Sequence, residues 1–413
     1  MIRKIIFTLL VLSHANLFGQ ADWTIFEYIE ASEGLQHEAL FNISQMAAGG
    51  VPENINLFVQ IHTAGDTSFL YKVEQNHIIL LDFIKIGPNT KDNILQTAEK
   101  IFPHHPATHH GLFLWNHGFG ILVPQYDPQT ETWDVEPDGN QLGTCDLLDV
   151  DMSKKTKGLL INAHEKTVMG NEDMVQMVKR ISQELLNNKK IDLIGFDCCM
   201  AAMIEHGYQL KEYVNIIVGS QDCELSDGFD YIALMKHFQD GHTQPKQIAI
   251  DIVQDYGIYN GEHAPVGRYT MSAIDLSYIS TLKATLDKIA DILLELLRLN
   301  KVVFKEEFLK LRKECPRFCI IPSYTDLYTL LQNVSKTLQW YNSFELVKDL
   351  LILIDKANSL IKKAVIANVT GEMNQNVHGI SIYCPFTHID STYPPISFAQ
   401  ESSWFTLLKE LVN

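Results

Sequence analysis

The sequence has few cysteines, few basic residues and, after its first twenty residues, no long apolar run. Its seven cysteines are an odd number and too sparse for a dense disulfide framework in 413 residues. Lysine and arginine total 33 against 50 acidic residues, a formal net charge of −17, which argues against nucleic acid as a partner. No later segment has the roughly eighteen uninterrupted apolar residues of a transmembrane helix, so we expect no stable membrane span.

The first twenty residues have the pattern of a secretory signal peptide. Arg3 and Lys4 precede the apolar run 5–12, and small or polar residues follow near Gly19. The run is too short to span a membrane stably, and an uncleaved N-terminal anchor is the alternative. The pattern predicts a protein that is secreted, periplasmic or on the cell surface.

Strand and helix patterns alternate from residue 51 to residue 275. The predicted strands are 55–61, 78–86, 112–115, 191–197, 215–220 and 269–274, and the predicted helices are 92–102, 173–186, 231–239 and 246–259. Strands separated by helices predict an α/β fold with a mostly parallel sheet flanked by helices. From residue 276 helical patterns predominate, with one late strand at 379–383 and a terminal helix at 404–412. The expected divisions are a signal peptide 1–20, an N-terminal segment 21–50, a core 51–275 and a helix-rich C-terminal extension 276–413 packed on the core.

One predicted strand ends in an acid and two thiols. The apolar run 191–196 is followed by Asp197, Cys198 and Cys199, and residues 201–210 have helical spacing. A helix N-terminus stabilises an anion, so a cysteine at this junction is a candidate thiolate nucleophile. A small buried cysteine that packs under the helix is the commoner fate of a lone Cys, so the assignment depends on a base elsewhere.

The candidate base follows a second apolar run. Residues 111–115 lead into Asn116, His117 and Gly118. If the two strands are parallel neighbours, His117 and Cys199 both emerge at the carboxyl edge of the sheet, where open α/β sheets bind ligands. A histidine base beside a cysteine nucleophile is the arrangement that acyl transfer needs, and the N–H groups of Gly118 and Cys199 could hold an oxyanion.

Six segments occur in the order in which a known family has them. They are 114–118, 192–200, 218–221, 227–228, 272–276 and 379–383. From about residue 55 to residue 383 the sequence is similar to the clostripain family of cysteine peptidases, which has the caspase-like fold of gingipains, legumains and caspases. The resemblance implies that His117 and Cys199 are catalytic and that the enzyme cleaves after Arg or Lys. It further implies an acidic substrate pocket that contains Asp197 and Asp227. Like charges that lie close together need a cationic partner, and an arginine side chain supplies one.

Plainer interpretations exist for several of these residues. Asp197 could cap the following helix, and Asp227 could be an ordinary turn residue before glycine. Cys198 stands where the family often has alanine, so it could pair, oxidise or compete with Cys199. Asn116 stands where relatives often have an acid.

The resemblance also implies maturation and a metal dependence. Family members are often cleaved after a basic residue in the loop between His and Cys, where the candidates here are Lys154, Lys155 and Lys157. Clostripain depends on calcium, so calcium is a candidate cofactor. The same loop offers carboxylates without EF-hand spacing, and a solvated acidic loop is an equal interpretation of Asp134, Glu136, Asp138 and Asp149.

The predicted function is that of a secreted cysteine endopeptidase with a Cys-His dyad, acting on peptides with Arg or Lys before the cleaved bond. A non-catalytic cell-surface binding protein on the same fold is the alternative. A cysteine hydrolase with another preference is a third hypothesis.

Overall fold

The computed structural model describes residues 20–32, 34–127, 132–134, 160–162, 166–264, 267–318, 321–338 and 344–413. Residues 1–19 of the predicted signal peptide and the processing candidates Lys154, Lys155 and Lys157 lie outside the described residues. The calcium candidates Glu136, Asp138 and Asp149 also lie outside them.

Strands and helices alternate through the first two thirds of the chain, and helices predominate afterwards. The strands are β1 Ala21–Glu30, β2 Ile55–His62, β3 Thr67–Glu74, β4 His77–Lys85, β5 Ala107–Trp115, β6 Gln125–Asp127, β7 Thr132–Asp134, β8 Ile161–Asn162, β9 Thr167–Val168, β10 Ile191–Asp197, β11 Val214–Gly219, β12 Thr270–Asp275, β13 Tyr324–Asp326, β14 Val365–Thr370 and β15 Ser381–Tyr383. The helices are α1 Gln36–Gly49, α2 Thr90–Ile101, α3 Asn171–Arg180, α4 Ile204–Leu210, α5 Tyr231–Gln239, α6 Pro245–His263, α7 Ile279–Leu299, α8 Lys301–Lys313, α9 Leu327–Leu338, α10 Glu345–Ala364, α11 Ser397–Gln400 and α12 Ser403–Val412.

A nine-stranded sheet lies at the centre of the molecule. Its strand order is β14-β12-β11-β10-β5-β1-β2-β3-β4. The five middle strands, from β11 to β2, are mutually parallel. Antiparallel pairs complete the sheet at both edges. The predicted α/β class with a mostly parallel sheet is therefore confirmed.

Helices cover both faces of this sheet. In β1, Phe26 and Tyr28 belong to one apolar core while Ile25 and Ile29 belong to the other, as the two-residue period of a strand requires. Helices α2, α3, α4, α7, α9, α10 and α12 contribute to the first core, and α1, α5 and α6 contribute to the second. Strands buried on both faces have continuous apolar sequences, which is why β2, β5, β10 and β11 could be predicted.

Three strands of the central sheet, β1, β3 and β14, were not among the sequence predictions. The strand β1 lies between β5 and β2, although the predicted core begins only at residue 51. Its buried acids, Glu27 and Glu30, interrupt the apolar pattern that identifies a central strand. The strand β14, which pairs with β12, lies in the region after residue 276 where helical patterns predominate in the sequence. The central sheet therefore includes strands from the N-terminal segment 21–50 and from the C-terminal extension 276–413, as well as from the expected core 51–275.

The C-terminal helices pack on the sheet as part of its first core, which also contains Leu286, Leu330 and Leu407. Within the described ranges, no helix is long and apolar enough to cross a membrane.

Candidate active site

The two strands that carry the predicted dyad are parallel neighbours. In the register of β5 and β10, Trp115 lies opposite Asp197, and the N–H of Asn116 donates to the Asp197 carbonyl at 3.3 Å. His117 and Cys199 each follow two residues after this last pair. The predicted arrangement of the two strands is confirmed, and both residues lie at the same carboxyl edge.

The backbone of Gly118 lies directly against that of Cys199. A Cβ atom added at Gly118 would lie 2.1 Å from the carbonyl oxygen of Cys199 and 3.0 Å from the sulfur of Cys198. No side chain fits at that separation, so glycine is what allows the two segments to approach. The residue next to Gly118 in the chain is His117, which is therefore held beside the Cys199 turn.

The turn at Cys199 has a strained backbone. Met200 has a φ of 58°, in the left-handed region that favours glycine, a conformation that costs about 1–3 kcal/mol. The N–H of Met200 donates to the carbonyl of Asp222 at 3.0 Å, which holds this conformation. Of the two adjacent thiols, Cys198 is buried and Cys199 is partly exposed.

The helix that follows begins later than the sequence pattern indicates. Ala202 accepts a hydrogen bond from Ser381 through its carbonyl oxygen, and Met203 forms a bridge with the same residue. This pairing keeps residues 201–203 extended, so α4 begins at Ile204, five residues after Cys199. The expectation that the first turn of a helix stabilises the Cys199 thiolate was therefore wrong.

The sulfur of Cys199 instead receives a backbone N–H from a neighbouring loop. The N–H of Glu224 donates to Sγ at 3.2 Å. A hydrogen bond to the charged form of a titratable group favours that form, so this N–H favours the thiolate. The loop from Ser220 to Phe229, which follows β11, therefore supplies the anion stabilisation that was expected from a helix.

A buried ion pair anchors this loop. Asp222 is fully buried and accepts hydrogen bonds from Arg268 Nε at 3.0 Å and Asn374 Nδ2 at 3.2 Å through Oδ2. Its own N–H donates to the hydroxyl of Thr270 at 3.1 Å. The sequence analysis did not identify these residues, because they are far apart in the chain and belong to no local pattern.

The two predicted pocket aspartates lie around one turn. The N–H of Phe229 donates to Asp197 Oδ2 at 3.1 Å, and Asp227 precedes it by two residues. Between them, Gly228 has a φ of 67°, and a Cβ there would lie 2.7 Å from Asp197 Oδ2. Tyr259 donates its hydroxyl proton to Asp227 Oδ2 at 2.7 Å. Because α4 starts seven residues after Asp197, that residue does not cap the helix.

A tyrosine connects Asp197 to a second buried acid. The Tyr231 hydroxyl lies 2.7 Å from Asp197 Oδ2 and 2.7 Å from Glu27 Oε1. One hydroxyl has one proton, so the other contact needs a proton on a carboxyl group. Burial raises the pKa of Glu27 well above its usual range and the pKa of Asp197 to about 6. Burial therefore favours the proton on Glu27 and leaves Asp197 as the more acidic of the two groups.

A third acid, Glu224, lies beside these groups and was not identified from the sequence. Both of its carboxylate oxygens are buried. Burial, followed by the charges of Asp197 and Cys199, raises the pKa of Glu224 well above its usual range. Its carboxyl group interacts with the carboxyl group of Asp197 and with the backbone of Cys198, so it belongs to the same acidic cluster. In the sequence, it is marked only by its position between 218–221 and 227–228, two of the segments that resemble the clostripain family.

The residues that depart from the family pattern have structural roles. Cys198 is a free thiol, and burial raises its pKa well above the ordinary value, so it is a poor nucleophile at neutral pH. The side-chain amide of Asn116 donates to the carbonyl of Glu30, which ties the end of β5 to the end of β1.

Helix α1 also supports the site. Asn42 accepts a hydrogen bond from Trp115 Nε1 at 2.9 Å and donates to the carbonyl of Asp227 at 2.8 Å. It therefore links the strand before His117 to the turn that contains Asp227. The sequence analysis assigned no role to this helix.

A histidine and a cysteine at adjacent strand ends of an α/β sheet, with backbone donors around the sulfur, are features of a cysteine hydrolase. A profile of the clostripain family (peptidase C11) matches residues 167–410, which include Cys199. This match covers more than half of the chain, so the protein belongs to the clostripain family and is a cysteine peptidase. No curated protein matches the sequence.

Solved structures of the same class have the same fold. A secreted C11 cysteine protease from Bacteroides thetaiotaomicron, in complex with an irreversible peptide inhibitor, is 17% identical with a TM-score of 0.64, over 93% of this chain and 99% of that one. A second structure, of a secreted C11 cysteine protease from Bacteroides thetaiotaomicron named iotapain, is 16% identical with a TM-score of 0.61, over 94% and 99%. An inactive zymogen C11 protease from Parabacteroides distasonis is 16% identical with a TM-score of 0.61, over 94% and 98%.

Proposed function

We propose that the protein is a secreted endopeptidase that cleaves after Arg or Lys with Cys199 as nucleophile and His117 as base. The observation that carries the proposal is the contact between the backbones of Gly118 and Cys199, since it brings the histidine loop to the cysteine turn. The polar surroundings of the sulfur agree with this role, because Glu224 donates its N–H to the thiolate.

The reaction proceeds in two stages. His117 takes the proton of the Cys199 thiol, and the thiolate forms a bond to the carbonyl carbon of the substrate. The N–H groups of Gly118 and Cys199 stabilise the oxyanion, and His117 gives its proton to the leaving amine as the peptide bond breaks. His117 then takes a proton from water, whose oxygen attacks the thioester carbonyl. The C–S bond breaks, the acid is released, and His117 returns the proton to the Cys199 sulfur.

The substrate's basic side chain is held by Asp197, at the end of β10, and by Asp227, in the turn that lies against it. Asp197 is fixed through Oδ2, and Asp227 is fixed through its own Oδ2. Each therefore keeps one carboxylate oxygen for the guanidinium or ammonium group. We include Glu224 as a third member, because its carboxyl group lies beside that of Asp197 and a cation relieves the repulsion between the two charges.

The proposed pocket predicts that the preference for arginine over an uncharged analogue depends on pH. We compare two fluorogenic peptides that differ only in arginine or citrulline before the cleaved bond, so that the titration of Cys199 and His117 cancels. Because kcat/KM reports the free enzyme and the pKa of Asp197 is about 6, the Arg-to-citrulline ratio should rise with pH through about 6. The rise should be about tenfold, the value of one charge-assisted hydrogen bond.

Two variants serve as controls for this profile. Asp197→Asn should remove the step at pH 6, whereas Asp227→Asn should lower the ratio at every pH and keep the step. A ratio that stays flat between pH 5 and pH 8 in the wild type would exclude Asp197 from the pocket.

Self-processing is part of the proposal and has its own test. It is supported by the relative from Parabacteroides distasonis, which is described as an inactive zymogen. The wild type should yield a new N-terminus after Lys154, Lys155 or Lys157, because these lysines match the proposed specificity. Cys199→Ala should remain one chain, and a variant with all three lysines replaced by glutamine should also stay intact. The same new N-terminus in purified Cys199→Ala would show that another protease makes the cut.

Export through an N-terminal signal peptide is supported by the relatives described as secreted. Edman sequencing of the exported protein should start near residue 21, after removal of the apolar run. A chain that retains Met1 would contradict removal of the signal.

The alternative, a non-catalytic binding protein on the same fold, predicts no turnover of any peptide. A fluorogenic library that varies the residue before the cleaved bond, with and without calcium, separates the hypotheses. We expect cleavage after Arg and Lys alone. Cleavage after other residues would indicate a hydrolase of different specificity, and no cleavage of any peptide would support the binding protein.

A further inference from the structure

Two histidines and an aspartate converge where α5 meets α6, away from the site described above. His237 lies near the end of α5, His242 lies in the connection, and Asp251 lies on α6. The helix α5 begins at Tyr231, whose hydroxyl contacts Asp197, and His237 lies about 9 Å further along the helix axis. The ligand atoms of these three side chains all lie within 4.8 Å of one another. Among the described residues, no other three or more His, Cys, Asp or Glu side chains meet this criterion.

One buried carboxylate oxygen faces both imidazoles. Asp251 Oδ2 lies 2.7 Å from His242 Nδ1 and 3.8 Å from His237 Nδ1. The side chain of Asp251 is 3% exposed, whereas those of His237 and His242 are 25% and 39% exposed. The two rings are stacked, with centroids 5.2 Å apart. A cation can therefore enter from solvent and meet a carboxylate that is already fixed and desolvated.

Neighbouring side chains orient these three groups. His237 Nε2 lies 2.8 Å from Asp255 Oδ2, so the Nδ1 atom of the same ring is directed towards Asp251. Gln247 Nε2 donates to Asp251 Oδ1 at 2.8 Å, which leaves Oδ2 for the imidazoles. Metal-binding histidines commonly donate their second ring N–H to a carboxylate, and His237 has that arrangement.

We propose that His237 Nδ1, His242 Nδ1 and Asp251 Oδ2 form a binding site for a zinc-class divalent cation that links α5 to α6. Tetrahedral Zn²⁺ has bonds of about 2.0–2.1 Å, which place its ligand atoms about 3.3 Å apart. The two separations from Asp251 Oδ2, 2.7 and 3.8 Å, lie on either side of that value, and all three ligand atoms lie within 4.8 Å of one another. Two imidazole nitrogens suit zinc, while calcium and magnesium take oxygen ligands. Water completes the coordination.

The test is titration of ZnCl2 into the metal-free full-length chain, in the Cys199→Ala background so that the active-site thiol does not bind the metal. Isothermal titration calorimetry should show one equivalent of Zn²⁺, and the midpoint of thermal unfolding should rise with added Zn²⁺. His242→Gln and Asp251→Asn should each weaken the affinity by tenfold or more, since each removes one ligand. His263→Gln, which changes a histidine elsewhere on α6, should bind as the parent does.

Calcium and the fold of the variants are the remaining controls. CaCl2 should give no comparable heat or thermal shift. Asp251 is buried, so its replacement can lower stability by itself. His242 is partly exposed, and we expect the unfolding midpoint of metal-free His242→Gln to stay close to that of the parent. Stoichiometric Zn²⁺ binding that persists unchanged in His242→Gln, or no binding at millimolar ZnCl2, would overturn the proposal.

Discussion

Replacing Cys199 with alanine should lower kcat/KM for peptidyl-arginine substrates by about 10³-fold or more, because it removes the group that forms the covalent intermediate. Replacing Cys198 should leave most of the activity. Its thiol is buried, burial raises its pKa, and its sulfur packs against Gly118 rather than towards solvent. Truncation of this small buried side chain should cost on the order of 1 kcal/mol of stability.

The two cysteine variants are matched controls for each other, since they differ by one position on the same turn. Both should be assayed after the unfolding midpoint shows that they are folded. If Cys198→Ala were inactive and Cys199→Ala retained its turnover, the nucleophile would be the preceding residue.

Replacing Gly118 with alanine should also abolish most of the activity while Cys199 is still present. The new methyl group would lie 2.1 Å from the Cys199 carbonyl oxygen, so either the cysteine turn or the histidine loop must move. A misplacement of about 1 Å costs about 100-fold in rate, and loss of an oxyanion donor costs about as much again. We therefore expect kcat, measured with saturating Arg substrate, to fall by at least about 100-fold.

Gly87→Ala is the control for this substitution, because nothing lies within 4 Å of a Cβ added at that position. Its activity and unfolding midpoint should match those of the wild type. A folded Gly118→Ala enzyme with normal kcat would mean that the contact between the two loops plays no part in catalysis.

Four of the five parallel strands, and the positions of His117 and Cys199 at the ends of two of them, could be predicted because the information is local. Each buried parallel strand is a short apolar run, and the polar residues at its end mark the edge where His117 and Cys199 emerge. The positions of Asp197 and Asp227 in sequence came from the family resemblance, and the turn at Gly228 brings the two residues to one place.

What could not be predicted depends on contacts between distant segments. The strand β1 contains the buried acids Glu27 and Glu30, whose partners Tyr231 and His62 lie far along the chain. Such pairs remove the apolar alternation by which a strand is identified.

The surroundings of Cys199 show the same limit. The start of α4 is delayed because residues 201–203 pair with Ser381, and no local pattern indicates that pairing. The role of Glu224 depends on a loop that Arg268 and Asn374 hold through Asp222. The type of residue at each position was visible in the sequence, but its surroundings were not.

The central claim is that His117 and Cys199, from separate segments, act on one substrate atom. Its most direct test is the reaction of the full-length protein with a peptidyl-arginine irreversible electrophile, followed by peptide mapping with mass spectrometry. We predict a single adduct on Cys199 that forms rapidly in the wild type and at least about 100-fold more slowly in His117→Ala. An adduct on Cys198 or Cys223, or equal rates in the two proteins, would contradict the account.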